Sequence, residues 1–237
     1  MPAFLTLRPA ARSRLVFVCD HASNLVPPEL RDLGLPPEEL ARHIGWDIGA
    51  AGVTAVLSEW FDAPAILCNT SRLVVDCNRQ LDAHDLVPEV SDGTLIPGNQ
   101  HLSAAEKQDR VERWFHPYHQ AVEDVLLERE AAGVATTLVS VHSMTPSLAG
   151  APRPWQISLS SYRDRSLVDP LLAALRRPGD VVVGDNQPYA LDPAIDYSTP
   201  FHALRRGLPH LQVEFRQDEI AGAEGQRAWA LRFARAL

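Results

Sequence analysis

The sequence predicts an α/β fold of three layers, in which helices cover both faces of an open and largely parallel sheet. Short apolar runs, typical of buried strands, alternate with stretches of helical periodicity along most of the chain. No repeat, low-complexity tract or linker interrupts the 237 residues. One domain spanning residues 1–237 is therefore expected, and a composition of 46% hydrophobic residues is sufficient for its core.

The predicted strands are short runs enriched in β-branched and other apolar residues. They cover residues 14–19, 64–68, 73–77, 136–141, 155–159, 180–184 and 209–215. The first of them ends abruptly in a polar loop, and several others also end in polar residues. Polar residues at the carboxyl ends of strands are where α/β sheets carry their chemistry.

The helical stretches alternate with these runs. They lie near 37–43, from about 47 to 61, across 103–132, near 166–176 and from about 224 to 236. Asp47 is expected to begin the second helix, while Ser103 and Glu106 form a capping-box pair and Pro117 marks a kink. Residues 80–101 lack periodicity and are predicted to form a long loop of the kind that often covers a site.

Charge and cysteine content exclude several classes of partner. The formal net charge is −8 and the basic residues are scattered, which argues against binding to nucleic acid. No apolar run approaches the length of a membrane span. Cys19, Cys68 and Cys77 lie in apolar runs, which favours reduced thiols over disulfides. We therefore expect a cytoplasmic protein.

Three residues that can bind a metal or move a proton follow separate predicted strands. His21, His142 and Glu214 each lie at or just beyond the carboxyl end of an apolar run. Zinc binds imidazole nitrogens and carboxylate oxygens, and it lowers the pKa of a bound water. The sequence thus predicts one metal-activated water held by the two histidines and deprotonated by Glu214, although each histidine alone could be an ordinary core or surface residue.

Other histidines compete for these roles. His116 and His119 are three residues apart in a helical stretch, but the aromatic residues around Pro117 favour packing over metal binding. His202 precedes the strand of Glu214 and is a candidate for substrate binding. Ser143 lacks the G-x-S-x-G context of a serine nucleophile.

Two arginines flank the apolar run at 73–77. Arg72 precedes this run, and Asn78 with Arg79 follows it. The planar guanidinium suits bidentate binding of a carboxylate or an oxyanion. Spacing alone does not distinguish such a role from an ordinary surface cluster.

A series of motifs in a fixed order carries a family resemblance. They are DHASN, HIGWDIGA, SRLVVDCNR, IPGN, VHSMTP and VEFRQD. In this order they resemble the N-formylglutamate amidohydrolase family, a zinc-dependent branch of the carboxypeptidase-like hydrolases, over residues 15 to about 230. The resemblance implies a mixed central sheet between helices, of the carboxypeptidase/phosphorylase-like type. It also implies hydrolysis of an N-acyl amide on an acidic amino acid such as N-formylglutamate.

The resemblance also implies roles for particular residues. His21 and His142 match the histidine ligands of one zinc ion, and Glu214 matches the general base. The spacing of Arg72 from the following Asn-Arg pair is similar to the Arg-x5-Asn-Arg arrangement of acyl-aspartate deacylases. This similarity implies that Arg72 stabilises the oxyanion.

By the same comparison, Asn78 and Arg79 would bind the α-carboxylate of the substrate. The chain departs from the pattern at one position, because Asn24 stands where relatives carry the glutamate ligand of His-x-x-Glu. Asp47 is our preferred third ligand, although it could instead be a first-turn charge of its helix. Asp20 and Asn24 are the alternatives.

Three other functions remain open at this point. The fold would also suit a deacylase of other N-acyl amino acids or a metallo-carboxypeptidase. A non-catalytic module that binds a metal or a small molecule is supported only by the missing glutamate. The sequence does not predict the acyl group, the selected amino acid or the oligomeric state.

Overall fold

The computed structural model describes residues 1–237 and places a seven-stranded mixed sheet at the centre of the chain. The strands are β1 (Phe4–Leu7), β2 (Leu15–Cys19), β3 (Ala65–Cys68), β4 (Thr137–Met144), β5 (Ile157–Ser160), β6 (Val183–Asp185) and β7 (His210–Arg216). Their order is β1-β3-β2-β4-β7-β5-β6. The central strands β3, β2, β4 and β7 are parallel, whereas β1 pairs antiparallel with β3 and β5 pairs antiparallel with β7. The predicted mixed and largely parallel sheet is confirmed.

Helices cover both faces of this sheet. They are α1 (Pro37–Leu40), α2 (Ala50–Phe61), α3 (Ala104–Arg110), α4 (His116–Ala131), α5 (Val168–Arg176), α6 (Ser198–His202) and α7 (Ala223–Ala234). Apolar residues of α2, α5 and α7 form one core cluster with the sheet, and those of α4 contribute to a second cluster on the opposite face. Phe17 of β2 belongs to the first cluster and Val18 to the second, which explains why the strand is continuously apolar.

The junction between α3 and α4 follows from the sequence. Ser103 accepts a hydrogen bond from the backbone of Glu106, whose side chain in turn accepts one from the backbone of Ser103. This confirms the predicted capping box. Val111–Phe115 form a turn of π-helix just before Pro117. Since proline lacks an N–H group and clashes with the preceding turn, a wider turn at this point accommodates it.

Two local predictions were wrong. Residues 73–77 are buried but form turns rather than a strand, because a short apolar run also fits an irregular buried segment. Helix α2 begins at Ala50 and not at Asp47, after Gly49 with a φ of +82°. Residues 80–101 form the predicted long loop, in which Val90–Ser91 pairs with Thr94–Leu95 and a 3-10 turn follows. None of the helices combines the length and hydrophobicity that a membrane span requires.

Candidate metal centre and active site

A cavity of about 620 Å³ opens at the carboxyl ends of the central parallel strands. His21 lies two residues beyond the end of β2, whereas His142 and Glu214 lie near the ends of β4 and β7. β4 lies between β2 and β7, and His142 is in register with Glu214 on the adjacent strand. The parallel pairing thus brings the three residues to one edge of the sheet, as predicted.

Asp47 completes a compact group with the two histidines. One ligand atom each of His21, Asp47 and His142 lies within 4.8 Å of the others, and all three residues are buried. The Asp47 carboxylate lies 2.8 Å from Nδ1 of His142 and 3.4 Å from Nδ1 of His21. Asn24 is not part of this group, because its amide donates to the carbonyl of Leu40.

Each histidine is oriented by a second carboxylate behind it. Nε2 of His21 lies 2.7 Å from Oδ1 of Asp76, and Nε2 of His142 lies 3.3 Å from Oδ2 of Asp20. A hydrogen bond of the outer nitrogen to a carboxylate is the usual way that proteins fix the tautomer and orientation of a metal-binding histidine. Both Nδ1 atoms are therefore left facing Asp47.

The donor set fits one metal ion. Nδ1 of His21 is buried without a hydrogen-bond partner, which is costly unless a cation or a proton donor occupies the space in front of it. With neutral imidazoles, Asp20, Asp47 and Asp76 bury three negative charges near the one guanidinium of Arg72. A divalent cation would offset the remaining negative charge. Two imidazoles and one carboxylate also leave a fourth position open, as in catalytic zinc sites.

The carboxylates around the histidines remain ionised. Burial raises the pKa of Asp20, but the hydrogen bonds from His142 and Ser198 and the charges of His142 and His21 together outweigh burial and lower that pKa to about 2. Burial likewise opposes the charge on Asp47, yet both histidines hold its pKa well below the usual range. The negative charge of these carboxylates therefore favours a cation at the site.

Glu214 has the opposite environment. Its side chain is buried beside the group, and burial raises its pKa to about 7 despite the positive charges of His142 and Arg153. A carboxyl group with a pKa near neutrality can accept a proton and release it again under physiological conditions. Glu214 is therefore a candidate proton acceptor at this site.

A comparison with known protein families agrees with this geometry. The model of the family described as N-formylglutamate amidohydrolase matches residues 13–221, a span that contains every residue discussed so far at the site. The chain belongs to the N-formylglutamate amidohydrolase family. It is therefore an amidohydrolase, and the predicted resemblance is confirmed. No curated protein matches the sequence.

Two solved structures are similar to this amidohydrolase. A gene product of Agrobacterium tumefaciens is 34% identical with a TM-score of 0.94, and the alignment covers 100% of this chain and 95% of that one. The N-formylglutamate amidohydrolase of Ralstonia eutropha JMP134 is 20% identical with a TM-score of 0.72. That alignment covers 99% of this chain and 97% of the other, and it shows a shared fold.

Arg72 of the amidohydrolase lies next to the group of ligands. Its Nε and Nη2 atoms donate to Oδ2 of Asp76 at 3.0 and 2.7 Å, and Nη1 lies 3.5 Å from Asp47. The guanidinium therefore holds Asp76, which in turn orients His21. Arg72 also lines the cavity.

Asn78 and Arg79 line the cavity but are occupied by other contacts. The Asn78 amide donates to Asp196 and accepts from the backbone N–H groups of Tyr197 and Ser198. Asn78 thus fixes the backbone before α6 and has little capacity left for a substrate. Arg79 donates to Asp85 at 2.9 Å.

The structure does not bring His202 to the cavity, so its predicted contact with substrate is wrong. The side chain is fully buried, and its ring lies between His119 and Glu123. Burial lowers the pKa of His202 to about 4, and it lowers that of His119 to about 3. His119 packs against Phe115, as predicted for the aromatic residues around the kink.

Sequence reasoning is incomplete for Asp76 and Asp20. The predicted strand at 73–77 contains Asp76, and a carboxylate inside an apolar run requires a buried partner, which is the signal that points to this residue. The sequence indicates Asp20 only as an alternative metal ligand. Its actual neighbours behind His142, the hydroxyl groups of Tyr118 and Ser198, are too distant in sequence to be inferred from spacing.

The position of Asp76 predicts that this residue supports metal binding indirectly, through His21. Asp76→Asn is expected to weaken zinc binding by about 10- to 100-fold, because the amide no longer fixes His21 and no longer matches Arg72. Competition with a chelating dye measures this affinity, with Asp62→Asn at the surface as the control. Activity should return at saturating zinc, since the direct ligands remain. Unchanged affinity would contradict the role of Asp76.

Proposed function

We propose that this chain is a zinc-dependent amidohydrolase that removes the formyl group from N-formylglutamate or a closely related N-acyl acidic amino acid. The observation that carries the proposal is the buried group of His21, Asp47 and His142 beside a glutamate of raised pKa. Membership of the family supports the reaction class and the substrate. Arginines in the cavity wall support an anionic substrate.

One zinc ion would be held by Nδ1 of His21, Nδ1 of His142 and a carboxylate oxygen of Asp47. Such an ion, when bound, polarises the acyl carbonyl and lowers the pKa of a water toward 7. Three buried free thiols support our further proposal that the protein works in a reducing compartment such as the cytoplasm.

The protein side chains perform the remaining steps. Glu214 accepts a proton from the attacking water and transfers it to the amine of the leaving amino acid. Arg72 provides positive charge close to Asp47, where it can stabilise the developing oxyanion. Because Glu214, His21 and His142 extend from neighbouring strands of one sheet, their relative positions are fixed before substrate binds.

The proposal can be tested on one preparation of the wild-type protein. Elemental analysis should find about one zinc per chain, and the same sample should release formate and glutamate from N-formylglutamate. Removal of zinc with a chelator should abolish hydrolysis, and added zinc should restore it. Hydrolysis that survives complete removal of metal would contradict the proposed zinc dependence.

Substrate profiling distinguishes the other hydrolases. Faster turnover of N-acetyl or longer acyl amino acids would identify a deacylase of different specificity, and release of C-terminal residues from peptides would identify a carboxypeptidase. Bound zinc without hydrolysis of any of these amides would favour a non-catalytic binding module and would contradict the proposed function.

A further inference from the structure

Three arginines line the cavity, and two of them are paired with carboxylates. Arg72 binds Asp76 through two of its nitrogens, and Arg79 binds Asp85. Arg153 differs from both, because no carboxylate oxygen lies within 4.0 Å of its guanidinium nitrogens. The cavity wall thus contains one guanidinium whose charge has no partner.

The contacts of Arg153 are with neutral groups. Nη1 donates to Oγ1 of Thr145 at 3.2 Å, and Nη2 donates to the hydroxyl of Tyr189 at 2.6 Å. The guanidinium also lies over the ring of Tyr189, 5.2 Å from its centroid. An arginine has five N–H donors, so these contacts orient the group and leave donors free. A planar cation fixed in this way is preorganised for a carboxylate.

A backbone hydrogen bond also holds Arg153 in place at the cavity wall. Its N–H donates to the carbonyl of Pro146 at 2.8 Å, at the base of the hairpin formed by Ser147–Leu148 and Ala151–Pro152. Arg153 and Glu214 both line this cavity. Arg153 therefore borders the space that a substrate must occupy beside Glu214.

The acidic residues of the same wall do not compete for this cation. Oδ1 of Asp196 accepts from Asn78 and Oδ2 accepts from the backbone of Asp192. Oδ1 of Asp192 accepts from the backbone of Ala194. These carboxylates are thus bonded to Asn78 and to the backbone of their own loop.

We propose that Arg153 is a specificity-determining residue that binds a carboxylate of the substrate, so that the cavity selects N-acyl amino acids by their negative charge. This inference rests on the proposed function, because it assumes an N-acyl amino acid in the cavity. It gives Arg153 a carboxylate-binding role, which the family resemblance implied for Asn78 and Arg79, whose side chains already bind Asp196 and Asp85.

The kinetic test compares Arg153→Gln with the wild-type enzyme on N-formylglutamate. We expect kcat/KM to fall by about 10- to 100-fold, mainly through KM, because a charge-assisted hydrogen bond to the substrate is lost. Arg153→Lys should retain part of the activity. Arg163→Gln is a matched control, because the Arg163 guanidinium also stacks on a tyrosine, Tyr162, but does not line the cavity.

N-formylglutamine distinguishes the two carboxylates, because it keeps the α-carboxylate and lacks the charge on the side chain. An equal loss on both substrates assigns the α-carboxylate to Arg153, and a loss confined to N-formylglutamate assigns the side-chain carboxylate. A loss below about 3-fold on both substrates, in a folded variant, would overturn the inference while leaving the proposed function intact.

An equilibrium measurement separates the inference from the proposed function. Binding of N-formylglutamate is measured by calorimetry in the Glu214→Gln protein, with and without Arg153→Gln. The inference requires binding about 10-fold weaker or more in the double variant, whether or not the wild-type enzyme turns the compound over. Equal affinities would overturn it. Absence of turnover in the wild type, by contrast, would count against the proposed function alone.

Discussion

Glu214→Gln is expected to lower kcat for N-formylglutamate by about 100- to 10,000-fold, which is the contribution of a positioned general base. Glutamine preserves the size and the hydrogen-bonding capacity of the side chain but cannot accept the proton of the attacking water. Zinc content should remain at the wild-type value, because His21, Asp47 and His142 form the group of ligands without Glu214. Steady-state kinetics and elemental analysis of one sample measure both quantities.

The matched control for this substitution is Glu224→Gln, at an exposed position in the first turn of α7. It removes the same charge far from the cavity and should leave kcat unchanged. Loss of zinc in Glu214→Gln would show that Glu214 is a ligand, and the role of general base would then have to be abandoned.

Asp47→Ala should produce an even larger loss. The carboxylate is the only anionic member of the group of ligands and contacts both histidines. Its removal leaves two imidazoles, fewer than the three protein ligands of catalytic zinc sites. We therefore expect the purified variant to lack zinc and to lose about 10,000-fold or more of the wild-type activity.

Two further variants make this expectation specific. Asp47→Asn keeps the volume of the side chain and should also lose zinc, which separates loss of the ligand from creation of a cavity. Asn24→Ala should keep its zinc, because the Asn24 amide is directed to Leu40. Zinc that remained in Asp47→Asn but was lost in Asn24→Ala would reverse our assignment of the third ligand.

The elements that the sequence predicted well are those with a strong local signal. Strands β2, β4 and β7 are buried runs rich in apolar residues, with polar residues near or just after their carboxyl ends, and parallel pairing then places His21, His142 and Glu214 together. No long-range information was needed to infer this edge of the sheet. The capping box that begins α3 was predictable for the same reason, since its two residues are only three positions apart.

Features that depend on distant contacts were not predictable. The apolar run of β5 gives no indication that it pairs antiparallel with β7, and β1 was not predicted at all. Asp76 lies 55 residues from His21 in sequence, so their hydrogen bond could not be inferred from spacing. Arg153 could not be singled out from the sequence either, because its significance is that no carboxylate pairs with it in the folded cavity wall.

The residues that line the cavity differ in how they tolerate substitution, because some are buried beside the central strands and others lie on surface segments. His21, Asp47 and His142 are buried polar groups on or beside the central strands, and replacing any of them disturbs a network that also includes Asp20 and Asp76. Arg153 and Tyr189 lie instead on segments outside the helices and long strands, where their side chains contact each other. Mutations in these segments can therefore accumulate at little cost in folding. A fold arranged in this way can change its substrate preference through the surface segments while the buried residues of the metal site stay the same.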